Sequence, residues 1–284
     1  MNSLFILLQH LLPQHLLSRL TGWLAASEIE WLKDPLIRLF ANHFKVEMQE
    51  AAEPELSAYP SFNAFFTRAL AEGARTIDGA SDGIACPADG AVSQLGAIKA
   101  GEIFQAKGHS YSCEDLLADK ERAEVFNNGQ FATIYLSPKD YHRVHMPVAG
   151  TLTAQTYIPG KLFSVNQVTA ENVRGLFARN ERLVCHFDTE FGPMAMVLVG
   201  AMIVAGIETV WSGQVAPPPR QPTTLDFSRA PAGVSLLKGD EMGRFMLGST
   251  VILLFPENSM AWEQQFQANT PTRMGERLGT ILKP

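Results

Sequence analysis

Phe245-Met246-Leu247-Gly248-Ser249-Thr250-Val251-Ile252-Leu253-Leu254-Phe255 joins a small-residue turn to an unbroken run of β-branched, aliphatic and aromatic residues. The run reads as a buried strand. Gly248-Ser249-Thr250 suits the turn before it, with Gly for the backbone and Ser and Thr for local hydrogen bonding. A second reading stands beside this one. The Ser249 hydroxyl follows the Gly248 carbonyl directly, so the side chain could attack the chain's own peptide bond.

Working outward, short apolar runs punctuated by Gly and Pro begin at residue 84. Phe131–Leu136, Thr151–Ile158, Leu183–Phe187, Val234–Leu237 and Thr250–Phe255 predict a β-rich domain. The uncharged stretch from Met194 to Ile207 is too short to span a bilayer and reads as buried strands divided by Gly200 and Gly206. Pro217-Pro218-Pro219 marks an extended surface loop. Ser112 with Asp115 predicts the start of one short helix. Ser61 caps another, with Phe62, Phe65, Phe66 and Leu70 on one face. Residues 46–60 are polar and read as a linker or edge segment.

The first 45 residues follow a different period. Leu4, Phe5, Leu8, Leu11 and Leu12 recur at helical spacing, then Leu16, Leu17, Leu20, Trp23 and Leu24, then Ile29, Leu32, Leu36, Ile37, Phe40 and Phe44. They predict three amphipathic helices. The longest apolar run, Leu4 to Leu8, falls far short of the roughly 20 residues a span needs. No Lys or Arg precedes it, and Gln9, His10, Pro13, Gln14 and His15 interrupt it, which argues against a cleaved leader. Cations are few and offset by acids, so any membrane binding would come from apolar area, with Trp23 and Trp31 suited to the interface. The predicted class is therefore α+β: N-terminal amphipathic helices over 1–58, then a β-rich domain of short, mostly antiparallel strands over 59–284.

A net charge of −6 over 284 residues gives no global field for nucleic acid. Cys86, Cys113 and Cys185 form no C-x-x-C pair, so neither a disulfide framework nor a thiolate metal site is indicated.

Several side chains could carry chemistry. Asp89, before Gly90, is either a turn residue or a buried carboxylate that orients an imidazole. His145 is the imidazole it would orient, and a base of that kind would activate Ser249. Ser137-Pro138-Lys139-Asp140 resembles a helix start, and one helical turn would bring His142 and His145 to the same side. H-x-x-H could be half a metal site, but no further ligands cluster near it, so no metal is expected. Lys161, His109 and Arg143 could meet a phosphate by charge, with exposed-surface readings open for each. Neither Lys161 nor Lys238 sits in anything like a pyridoxal-phosphate cradle.

Four blocks, in order along the chain, carry a resemblance. They are Pro87-Ala88-Asp89-Gly90, Tyr141-His142-Arg143-Val144-His145-Met146-Pro147, Pro159-Gly160-Lys161-Leu162-Phe163-Ser164-Val165-Asn166, and Lys238-Gly239-Asp240-Glu241-Met242-Gly243-Arg244-Phe245 leading into Leu247-Gly248-Ser249-Thr250. Together they resemble the phosphatidylserine decarboxylase proenzymes, and the N-terminal region resembles the bacterial membrane-associated branch. The resemblance implies self-cleavage between Gly248 and Ser249 into chains 1–248 and 249–284. It implies a covalent pyruvoyl group, derived from Ser249, as the cofactor, with Asp89 and His145 serving cleavage and His142 assisting decarboxylation. Phosphatidylserine would be the substrate, its amine forming a Schiff base, with phosphatidylethanolamine and carbon dioxide as products. A peripheral position on the cytoplasmic side of the inner membrane is expected, with no nucleic-acid partner and with homo-oligomer formation left open. Two other readings remain at this point. One is a serine hydrolase using Asp89, His145 and Ser249, although the G-x-S-x-G elbow is missing. The other is a non-catalytic lipid-binding β domain.

Overall fold

The computed structural model describes residues 2–202, 206–215, 221–228, 233–246 and 249–282, with side chains from residue 6 onward except Leu11. Gly248 and Pro217-Pro218-Pro219 therefore lie outside the described residues. Three helices open the chain: α1 (Asn2–Leu11), α2 (Gln14–Ala25) and α3 (Glu30–Phe44). Two single-turn 3₁₀ segments follow within the polar stretch at 48–58, then α4 (Phe62–Phe66) and, further on, α5 (Cys113–Leu117). Both expected caps are present. Ser61 Oγ accepts the Ala64 N–H at 3.2 Å, and Ser112 Oγ accepts the Asp115 N–H at 2.9 Å.

The strands that build the site are β1 (Gly90–Ala97), β2 (Gln130–Leu136), β3 (Arg143–His145), β4 (Gly150–Ile158), β5 (Arg182–Thr189), β6 (Gly192–Val199), β7 (Ile207–Thr209), β8 (Thr223–Asp226), β9 (Ser235–Leu236), β10 (Glu241–Phe245), β11 (Ser249–Phe255) and β12 (Pro271–Thr272). The main sheet runs β8-β4-β5-β6-β11-β2-β1-β12, with β9 beside β4, and every pairing is antiparallel. β7, β10 and β3 form a second sheet with Gly213–Gln214.

β11 lies between β2 and β6 and is buried along its whole length. Val251, Leu253 and Phe255 pack into the cluster shared with Val144, Ile207, Met242 and Phe245 of the second sheet. Ile252 and Leu254 pack on the other side, with Cys113, Leu116 and Leu117 of α5. A strand covered on both faces favours apolar residues on both, which is why Val251–Phe255 is a continuous run rather than an alternation. The three cysteines are buried and unpaired.

Register places the sequence blocks. Ser249 pairs with Leu136, the last residue of β2, and Thr250 with Val199, the last of β6. Arg182, the first residue of β5, pairs with both Val199 and Ile158, the last of β4. Ala91 of β1 pairs with Tyr135. Asp89, the 137–142 connection, the 159–166 loop and the start of β11 thus share one end of the main sheet. Two glycines make the close approaches possible: a Cβ at Gly90 would lie 2.2 Å from Tyr135 O, and one at Gly160 would lie 2.5 Å from Arg179 O.

The N-terminal helices dock on the 159–166 loop through polar side chains. Gln9 Oε1 accepts the Ser164 N–H and Gln14 Oε1 the Leu162 N–H, each at 2.8 Å, while His15 Nε2–H donates to Gly160 O at 3.0 Å. Leu7, Leu8, Leu12, Leu16, Leu20 and Trp23 remain exposed. α3 behaves more conventionally, burying Ile37 and Ala41 against Tyr59, Phe62, Phe65 and Phe66, but it too exposes Trp31 and Leu39. No helix among the described residues is long and apolar enough to cross a membrane.

Candidate active site

Ser249 is fully buried at the start of β11, and its Oγ has no hydrogen-bond partner among the described residues. Buried hydroxyls are normally bonded, so an unmatched one marks a position held for chemistry or for a ligand. Thr250 Oγ1 beside it is likewise unmatched.

His142 and His145 do not sit on a helical turn. Asp140 Oδ2 accepts both the N–H and the hydroxyl of Ser137, each at 2.7 Å, and the Asp140 N–H returns to Ser137 O. These bonds close a single turn, after which pairing of β3 with β10 pulls the chain extended. The expected helix start fails because Asp140 caps the turn back onto Ser137 and no helical residues follow. The two rings accordingly have separate neighbours. His142 stacks on Phe66 at 4.0 Å, and His145 stacks on Tyr141 at 5.6 Å.

Carbonyl contacts fix both tautomers, because a carbonyl can only accept. His142 Nε2 faces Ser137 O at 3.0 Å and therefore carries the proton. Its Nδ1 lone pair is buried and unmatched among the described residues. Burial first, and the positive Arg68 nearby second, pull its pKa down to about 3, so the ring is neutral. His145 Nδ1 faces Gly239 O at 2.8 Å and carries the proton, which leaves Nε2 to accept from Tyr141 O–H at 2.9 Å. Burial lowers the pKa of His145 too, against an opposing pull from Gly239, Glu241 and Asp89.

The hydrogen-bonded relay expected of Asp89, His145 and Ser249 is not assembled. Asp89 accepts a two-toothed ion pair from Arg75, through Nε at 3.0 Å and through Nη2, and its Oδ1 also takes the Met274 N–H at 2.8 Å. Arg75 is shared with Glu50 at 2.6 Å, and Glu50 also meets Arg273. The orienting role given to Asp89 falls to the Gly239 carbonyl, and Asp89 reaches His145 through its field. Arg143 is occupied by Glu241 and by Thr67 O, both at 2.9 Å. Lys238 donates to Ala80 O and Gly83 O. Lys161 is exposed beside α2. No cluster of three or more metal-ligating side chains occurs among the described residues.

The family model described as phosphatidylserine decarboxylase matches residues 62–280. The chain belongs to that family. A second family model, described as PSD, matches residues 4–45. The chain is 60% identical over 280 residues to the phosphatidylserine decarboxylase proenzyme of Ectopseudomonas mendocina, covering 98% of each chain. It is 59% identical to that of Pseudomonas fluorescens, over 99% of this chain and 98% of the relative. With that of Alcanivorax borkumensis it shares 56% identity over 98% and 96%.

Within this family member, contacts that residue type alone does not signal surround the candidate residues. Tyr141 and Gly239, the partners of His145, lie inside the second and fourth blocks, which therefore held a signal. Arg75 and Glu50 lie in no block, and only the folded contact with Asp89 reveals them.

Proposed function

We propose that the chain is a phosphatidylserine decarboxylase that cleaves itself between Gly248 and Ser249. The observation that carries this reading is the convergence of four separated blocks at one sheet end, around a buried serine hydroxyl with no partner among the described residues. In the cleavage step Ser249 Oγ attacks the Gly248 carbonyl carbon, and His145 Nε2, released by Tyr141, accepts the hydroxyl proton. The amide is thereby exchanged for an ester. Loss of the Ser249 α-proton expels the Gly248 carboxylate, and water replaces nitrogen as ammonia leaves. Asp89, acting through its charge, favours protonated His145 during the attack.

Position 249 fits the pyruvoyl group this creates, because the unmatched Oγ marks an enclosed polar position pinned by Leu136 on the neighbouring strand. When present, that group supplies a carbonyl for the substrate amine and an electron sink for the charge left by departing carbon dioxide. His142, neutral and with Nδ1 open, is suited to take up a proton from water at that nitrogen and hand it to the substrate carbon. The short chain stays bound after cleavage, since β11 is paired on both sides and Met274 anchors Asp89.

Residues 1–58 form the membrane-associating region and 59–284 the catalytic domain. Exposed leucines and tryptophans on α1 to α3 would enter the interface and hold the enzyme as a peripheral protein on the cytoplasmic side of the inner membrane. Intact mass spectrometry tests the core of the reading. Wild type should give two chains, the shorter blocked by a keto group, and Ser249→Ala one chain with carbon dioxide release down at least about a thousandfold. A folded wild type that stays full-length and inert toward phosphatidylserine would refute it.

A further inference from the structure

Three arginines whose side chains are largely withdrawn from water use their donors very differently. Arg182 directs all three nitrogens at carbonyls, those of Leu116, Asn180 and Asp115. Arg75 is matched by Glu50, Asp89 and Ala74 O. Arg68, just after α4, is 5% exposed and spends only Nη2, on Lys139 O at 2.9 Å and Asp140 O at 3.3 Å. Its Nε and Nη1 are buried with no acceptor among the described residues. No carboxylate among those residues forms a salt bridge with it. A buried guanidinium with two open donors and no carboxylate in contact, offset only by the longer-range charges of Asp89 and Asp140, is costly, which points to an anion arriving from outside.

Arg68 also lines a cleft of about 830 Å³ together with Asp89, Ser137 and Tyr141. The cleft therefore adjoins the site already described, and Arg68 is close enough to His142 to depress its proton affinity. The planar fork of an arginine suits two oxyanions of the proposed substrate, its carboxylate and its phosphodiester. Reaction chemistry separates them. The carboxylate loses its charge as carbon dioxide leaves, so a cation gripping it would stabilise the ground state more than the transition state. The phosphodiester keeps its charge throughout, and a grip on it costs the chemical step nothing.

We propose that the Nε and Nη1 edge of Arg68 binds the phosphodiester of the lipid headgroup. This rests on the decarboxylase reading above. The test compares wild type with Arg68→Gln in mixed micelles, measuring kcat and KM for phosphatidylserine and the inhibition constant of phosphatidylethanolamine, which keeps the phosphate and lacks the carboxylate. KM and the phosphatidylethanolamine constant should rise together by about ten- to hundredfold, with the loss falling on KM rather than kcat. A rise in KM with unchanged phosphatidylethanolamine inhibition would move Arg68 to the carboxylate and overturn the proposal. A fall in kcat or melting temperature with both constants unmoved would reduce Arg68 to a brace for the 137–142 turn, and overturn it equally. If Arg68→Gln does not fold or process, Arg68→Lys keeps the charge without the fork and should raise both constants by a smaller, matched factor. Phosphatidylethanolamine retained in an Arg68-dependent way by a wild type that releases no carbon dioxide would sink the decarboxylase reading and still support this site.

Discussion

The main sheet and the first two helices apply opposite burial rules. In β11 every side chain is buried and the apolar ones fill two clusters. Among the described side chains of α1 and α2 the buried ones are Gln9, Gln14, Ser18 and Ala25, while Trp23 is 74% exposed and Leu7, Leu8, Leu16 and Leu20 are exposed. The sheet is held by removing apolar surface from water. The helices are held to the 159–166 loop by two glutamine oxygens that accept its N–H groups and by a histidine that donates to Gly160 O. An amphipathic helix that docks by its polar side has kept its apolar side for another apolar phase, and the loop it docks on borders the candidate site.

The largest effect expected inside the sheet end is catalytic. His145→Ala should slow self-cleavage by about 10²- to 10⁴-fold, followed as the loss of full-length chain with time. Burial lowers the pKa of His145, so its neutral, proton-accepting form persists below the usual histidine range. The wild-type cleavage rate should therefore stay level as pH falls through about 6.5 and drop only at lower pH. A rate that halves near 6.5 would place His145 in a wetter setting than its contacts indicate.

Packing comes next. Leu253→Ala removes a side chain from the doubly covered strand and should cost about 2–5 kcal/mol of stability in denaturant titrations of a processing-blocked background. Gln14→Ala leaves the Leu162 N–H without its acceptor, at a cost of about 1–3 kcal/mol. That loss should appear as faster amide exchange confined to α1, α2 and the 159–166 loop, with the sheet unaffected. Trp23→Ala should change melting by no more than about 0.5 kcal/mol, as for an exposed site, yet weaken binding to phospholipid vesicles. A stability loss at Trp23 as large as that at Leu253 would erase the contrast, because Trp23 would then belong to a core.

The strands were readable because a strand covered on both faces is rich in apolar and β-branched residues on both, as in Phe131–Leu136 and Thr250–Phe255. The helix starts at Ser61 and Ser112 were readable because a cap bonds to residues three places on. The connection at Ser137–His142 was misread, since its helix-start signal is local and the strand pairing that overrides it comes from Glu241–Phe245, about a hundred residues later. Asp89 was singled out as an orienting carboxylate, but its actual partners, Arg75 and Met274, are separated from it by intervals that no periodicity encodes.

The amino-acid order by itself determined the class of fold and the family blocks, and singled out the serine proposed for cleavage, because these depend on local period and on residue type. Only the tertiary structure decided which face of α1 and α2 is inside, which groups hold Asp89, which histidine nitrogens carry protons and which arginine is left with open donors. Each of those depends on contacts between distant segments, and a hydrogen bond or a buried charge is settled by what lies within a few ångströms in space.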